Sequence, residues 1–200
     1  QFDDNNSLGA SISFLRNPKL QTDGKTEGSV LRDKVLTETN TSIRSEFGQN
    51  SNWSSNIYYV GKVGKLGIDF NTDWFWSKGN NKNNIDEHYQ EVNSEIQNQL
   101  VNSTTSKYNR LIASKMVLSY PLFGGDLSVG GEYSFTNRNT NYAIIPNTLA
   151  DNVIDRIKEG MASAFVAYNR DFGKLNMEAG LRYENVDFKY YDDGKYTADQ

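Results

Sequence analysis

At 200 residues the chain suits one domain or a portion of a larger one. Its net charge of −4 leaves no basic footprint for a nucleic acid, and the absence of cysteine excludes disulfides and thiolate metal sites. The apolar fraction is 36% and the mean hydropathy −0.70, yet 12% of the residues are aromatic, which argues against a disordered chain. No run of about 18 apolar residues is present, so no helix is set up to cross a membrane, a test that does not touch strands. The chain begins at Gln1 without an apolar signal core, as expected of a processed chain or an internal piece.

In chain order, "LGASISFLR" (8–16) alternates as a strand and is followed by a long polar connection over 17–52. "NIYYVGKV" and "KLGIDFNTDWFW" predict strands near 53–63 and 66–77, joined through Gly64-Lys65. A second polar connection, 78–106, precedes strands near 108–120 and 126–137, joined through "PLFGGD". A third, 138–160, leads to strands near 161–171 and 175–190, joined through "DFGK". Ile85, Tyr89, Val92, Ile96 and Leu100 stand at helical spacing, so a short amphipathic helix over 85–100 competes with outward continuation of the strands. The segment "NVIDRIKEG" (152–160) carries the same ambiguity.

The resulting expectation is an all-β, antiparallel up-and-down meander of about seven strands, part of a transmembrane β-barrel wall. Strands of about ten residues match a tilted crossing of about 30 Å of hydrocarbon. Tight turns at one end and long polar connections at the other fit an outer-membrane barrel. Aromatic residues gather at strand ends, where amphipathic rings settle at a lipid–water boundary. The stripe expected to face lipid comprises Leu66, Ile68, Phe70, Trp74 and Trp76, then Leu127, Val129, Tyr133 and Phe135, then Leu175, Met177, Ala179, Leu181 and Tyr183. The residues expected to face a polar lumen are Asp69, Asn71, Asp73, Lys115, Glu132, Glu178, Arg182 and Glu184. Lys115 and Arg182 are expected to pair across strands with Glu132, Glu178 and Glu184.

"AGLRYENVDF", "LSYPLFGGDLSVGGEYSFTNR" and "NIYYVGKVGKLGIDFNTDW" resemble the barrel portion of TonB-dependent outer-membrane receptors. More narrowly they resemble the related outer membrane protein beta-barrel family. The resemblance covers most of 53–191 and implies the outer membrane of a Gram-negative bacterium. In that family a barrel of about 22 strands is filled by a plug. The plug couples to an energy-transducing inner-membrane complex. The resemblance therefore implies that residues 1–200 are one partial barrel domain, about a third of the wall, with no plug in view. It implies membrane lipid and an extracellular ligand as partners, and a parent protein that imports a nutrient. Two rivals stand beside this: a soluble β-sandwich or small barrel binding sugar or peptide, and a surface adhesin or structural barrel without transport.

No enzyme chemistry is legible. His88 is the only histidine and stands among Asp86, Glu87 and Glu91 without metal-ligand spacing. "GKVGKLG" lacks the ending of a phosphate loop. "FDDNNS" and "YYDDGKY" lack Ca²⁺-loop spacing and read as turns. Glu178 and Glu184 lie about 20 Å apart along one strand, too far to cooperate in hydrolysis. No catalytic residue, cofactor or metal is expected. Taken alone, the segment would have unpaired edges and a bare apolar face, and is expected to self-associate.

Overall fold

The structure, a computed structural model, describes residues 5–199. Residues 2–4 of the acidic "FDDNNS" stretch lie outside the described residues. The described chain is a single sheet of eight antiparallel strands in sequence order. They are β1 (Asn6–Arg32), β2 (Val35–Val63), β3 (Leu66–Glu91), β4 (Gln97–Leu122), β5 (Gly125–Ile145), β6 (Val153–Phe172), β7 (Leu175–Asp192) and β8 (Lys195–Asp199).

At one end the strands are joined by two-residue turns. Gly64 (φ 64°) and Gly173 (φ 73°) take the first central position of theirs, a backbone conformation that costs glycine nothing. Phe123 and Gly124 both have positive φ, the requirement of a type I′ turn.

The opposite end corrects the expected boundaries. The connections 17–52 and 78–106 are almost wholly strand, 138–160 is strand except for 146–152, and the count among the described residues is eight rather than about seven. Residues 17–52 form a tall hairpin turning at Asp33-Lys34, both with positive φ. The helical spacing over 85–100 does not produce a helix: Ile85 and Tyr89 belong to β3, Leu100 belongs to β4, and a short connection runs between them. Residues 153–160 open β6. A helix over either segment would abandon the ladder bonds of two neighbours, and strand continuation keeps them.

Between Asn17 and Leu20, β1 advances three residues while β2 advances two, so β1 carries a bulge. Pro18 sits in it, at a residue left out of the β1–β2 pairing, where a missing N–H costs that ladder no bond.

The sheet has no packed core. Among the described residues no large side chain is fully buried, whereas Leu181 is 79% and Tyr183 68% exposed. The soluble-sandwich rival required the stripes 66–76 and 175–183 to pack on each other. They lie instead in one sheet, on one face, with no second layer over them.

Candidate functional site

Residues directly opposite in an antiparallel ladder share a face, so the register sorts side chains without further assumption. One row runs Gly61, Ile68, Leu118, Val129, Val166 and Leu181 across β2 to β7. The next runs Tyr59, Phe70, Met116, Gly131, Ala164 and Tyr183. Higher rows hold Ile57, Thr72 and Tyr133, then Trp74, Ile112 and Phe135, then Trp53 and Trp76. Below them Tyr120, Leu127, Tyr168 and Ala179 form one row, while Leu66, Leu175 and Met177 stand beside the turns. All fourteen residues of the apolar stripe therefore occupy one face. They are joined there by Ile12, Phe14, Ile57, Ile112 and Leu118, which the sequence reading did not single out.

The band from Leu66 to Trp76 spans eleven residues of β3. At about 3.3 Å per residue and a tilt near 45°, that is roughly 25 Å of height, the apolar band of a membrane barrel. Its upper rim is aromatic. Trp53 and Trp74 meet edge-on with ring centres 4.5 Å apart, and Trp76 meets Tyr108 at 6.2 Å. Among the hydroxyls inside the band are those of Thr72 and Ser114, which lie opposite one another. They share a hydrogen bond of 2.7 Å, and Thr72 also approaches the Ala113 carbonyl at 3.3 Å. Such pairing offsets the cost of polar groups on an apolar face. On β7 the stripe ends early: Asn185 and Asp187 follow, and Asp187 is bonded to Lys189 at 2.9 Å.

The opposite face carries Asp69, Asn71, Asp73, Lys115, Glu132, Glu178, Arg182 and Glu184, all eight residues of the polar set. A central row runs Tyr58, Asn71, Lys115, Glu132, Ser163 and Glu184. Lys115 Nζ lies 3.3 Å from Glu132 Oε1. Arg182 Nη2 donates to Glu132 Oε2 at 2.8 Å, reaching from β7 across β6 to β5, while its Nε donates to Glu184 Oε1 at 2.5 Å. Ser163, between the two glutamates in the row, is only 7% exposed. A second cluster surrounds Asn56, whose amide donates to Asn71 Oδ1 at 2.5 Å and Asp73 Oδ1 at 2.8 Å. Glu178 and Asp69 stand apart from both, and the expected pairing of Glu178 with Lys115 or Arg182 does not form. Gly130 explains a local packing choice. A side chain there would press into the Phe165 ring and within 2.8 Å of the Met116 carbonyl oxygen.

Above the band both faces are polar. Asp23 accepts from the Ser45 hydroxyl (2.7 Å) and the Gln21 amide, which together hold its carboxyl below the usual carboxylate range. Desolvation, then the hydrogen bond to Glu91 and the nearby charges of Glu38 and Glu91, push the Tyr89 phenol up to about 12. His88 Nδ1 lies 2.6 Å from Asn98 Oδ1, with Asp86 at 3.6 Å from Nε2, and the described residues hold no cluster of three or more metal-ligating side chains. What the polar face of the sheet offers chemically is fixed charge and hydrogen bonding.

A meander with one apolar and one polar face, tight turns at one end and tall hairpins at the other is the class of structure that walls a membrane β-barrel. The sequence profile of the outer membrane protein beta-barrel family matches residues 61–200, and the chain belongs to that family. Its setting is accordingly the outer membrane of a Gram-negative bacterium. Among solved structures the chain is similar to the alcaligin outer membrane receptor FauA from Bordetella pertussis. Identity is 11% and the TM-score 0.36, over 98% of this chain and 38% of that one. The chain thus spans well under half of that receptor's length. No curated protein matches the sequence.

Proposed function

We propose that the chain is a stretch of wall in an outer-membrane receptor that imports a nutrient by TonB-dependent transport. The apolar face from Leu66 to Trp76 and from Leu175 to Tyr183 contacts lipid. The face bearing Asp69, Asn71, Asp73, Lys115, Glu132, Glu178, Arg182 and Glu184 lines the lumen. The observation that carries this reading is the register, which divides the two sets between opposite faces. The motifs shared with TonB-dependent receptors supply the transport part. In this reading the energy-transducing inner-membrane complex engages a plug outside this segment, and the extracellular ligand meets the tall hairpins, because binding residues concentrate where a rigid scaffold presents its ends.

The test is genetic. A strain lacking the protein is compared with one lacking the inner-membrane transducer, and with the double mutant, for growth on a panel of scarce nutrients. Import predicts one shared defect, no deeper in the double mutant. A growth or attachment defect that persists unchanged with the transducer intact or absent would instead support the adhesin or structural barrel.

A further inference from the structure

We infer that the apolar-side face just above the tryptophan rim, on β1 to β4, is a docking surface for the phosphate groups of anionic lipid in the adjoining leaflet. The inference rests on the lipid-facing reading of the apolar stripe and adds a ligand class to it. Three register rows carry it. Arg110 is level with Trp53 and Trp76; Arg16 and Lys78 share the next row; Lys82 lies opposite Phe47 and Thr104 two rows higher. Lys19 joins them because the bulge at Pro18 re-aims it, placing Nζ 5.0 Å from the centre of the Phe47 ring. All five are exposed, and none forms an ion pair among the described residues.

Their placement is asymmetric. On β1 to β4 this face holds no acidic residue between the Trp53 row and the Phe47 row. The first acid, Asp23, comes one row further out and is already bonded to Ser45 and Gln21. The opposite face of the same rows is largely Asn, Ser, Thr and Gly, with Lys107 its one cation. A chain of net charge −4 has thus gathered five cations on the side where headgroups would lie. Lone interfacial lysines lift their amines to water beside any membrane. Here the cations also flank a cleft of about 340 Å³ lined by Lys19, Phe47, Lys82, Asn84 and Thr104. An aromatic floor between two amines, with hydroxyl and amide donors at the side, suits a phosphate ester above an acyl chain. Basic residues at an anionic membrane surface each strengthen attraction by about five-fold.

The full-length protein in detergent is titrated with phosphatidylglycerol and, separately, with phosphatidylcholine, and bound lipid is counted by native mass spectrometry. Wild type should prefer phosphatidylglycerol, and Lys78→Gln with Lys82→Gln should reduce that preference by roughly 25-fold, two charges at about five-fold each. Lys107→Gln with Arg138→Gln removes the same charge from the opposite face and should leave it intact. Equal loss in both pairs, or no preference in wild type, overturns the inference. So does abolition of the preference by inorganic phosphate, which would mark a free-anion site. Quenching of Trp53, Trp74 and Trp76 by brominated acyl chains reports the lipid-facing reading by itself. Quenching without a headgroup preference sinks this inference alone, and no quenching sinks the reading beneath it.

Discussion

Met116→Arg is the substitution that presses hardest on the two-faced wall. Met116 shares a row with Tyr59, Phe70, Gly131 and Ala164, six residues below Trp76 along β3 and four above Leu66. At about 3.3 Å per residue and a tilt near 45°, that places it about 14 Å below the upper rim, close to the bilayer midplane. An arginine at that depth on the lipid side of a barrel costs about 2–4 kcal/mol. The folding equilibrium should therefore fall between roughly 30-fold and 1,000-fold, at about 1.4 kcal/mol per decade. Ala113→Arg, three residues away on the same strand, faces the other way and lies opposite Asp73. A cross-strand pair there is worth about 0.2–1 kcal/mol, so this variant should be neutral or slightly stabilised. The assay is denaturant titration of the protein folding into phosphatidylcholine vesicles, with heat-modifiable gel mobility as the readout. If Met116→Arg costs no more than Ala113→Arg, the assignment of faces is wrong.

Three further outcomes follow from the same geometry. All three tryptophans share the apolar face near its upper rim, so brominated lipid should quench most of the intrinsic fluorescence, and more strongly when the bromines sit near the headgroup than near the chain end. The chain has no native cysteine, so single cysteines at 176, 178 and 180 should label with a membrane-impermeant maleimide in vesicles, while those at 177, 179 and 181 should not; labelling without alternation would refute the register. The Asp23 carboxyl is held low by Ser45 and Gln21, so its stabilising effect is complete above the unfolded value near 3.9 and is lost as pH falls through the lower folded value; its titration by carboxyl-carbon NMR should move up toward that ordinary value in Ser45→Ala, and an unmoved midpoint would refute the assigned cause.

The division of the wall into two faces was legible in the sequence because apolar and polar residues alternate along each strand. Leu175, Met177, Ala179 and Leu181 against Asn176, Glu178, Gly180 and Arg182 leave a period of two that no other element reproduces. The strand ends were not legible. Beyond Trp76 both faces meet water, and "SKGNNKNNIDEH" carries asparagine on each. Nothing alternates there, and pairing is imposed by the neighbouring strands. The apparent helical spacing from Ile85 to Leu100 mixed two strands: Ile85 and Tyr89 sit on the polar-side face of β3, while Leu100 sits on the apolar-side face of β4. Asn56 and Ser163 went unnoticed for a different reason. Their importance comes from what lies opposite them, Asp73 in one case and the row shared by Glu132 and Glu184 in the other, and spacing along a single strand does not record that.

The tall strands change what kind of ligand surface the proposed receptor presents. A crossing needs about 9–11 residues, whereas β3 and β4 have 26 each. The surplus is paired nearly to the tips, from Trp76↔Arg110 out to Tyr89↔Gln97. Side chains on paired strands are held by the ladder as well as by their own contacts. The bond of Ser106 to Asn80 (2.8 Å) and the ion pair of Arg44 with Glu46 (2.8 Å) add to that order. Ordering that is completed on folding is not lost again on binding, and such preorganisation favours affinity. It also ties the ligand-facing end to the membrane band through continuous backbone, so a one-residue slip of a whole strand would carry every side chain on it to the wrong face. The bulge at Pro18 falls above the rim: β1 inverts its facing there, after Phe14 has reached the rim, and the stripe below keeps its side.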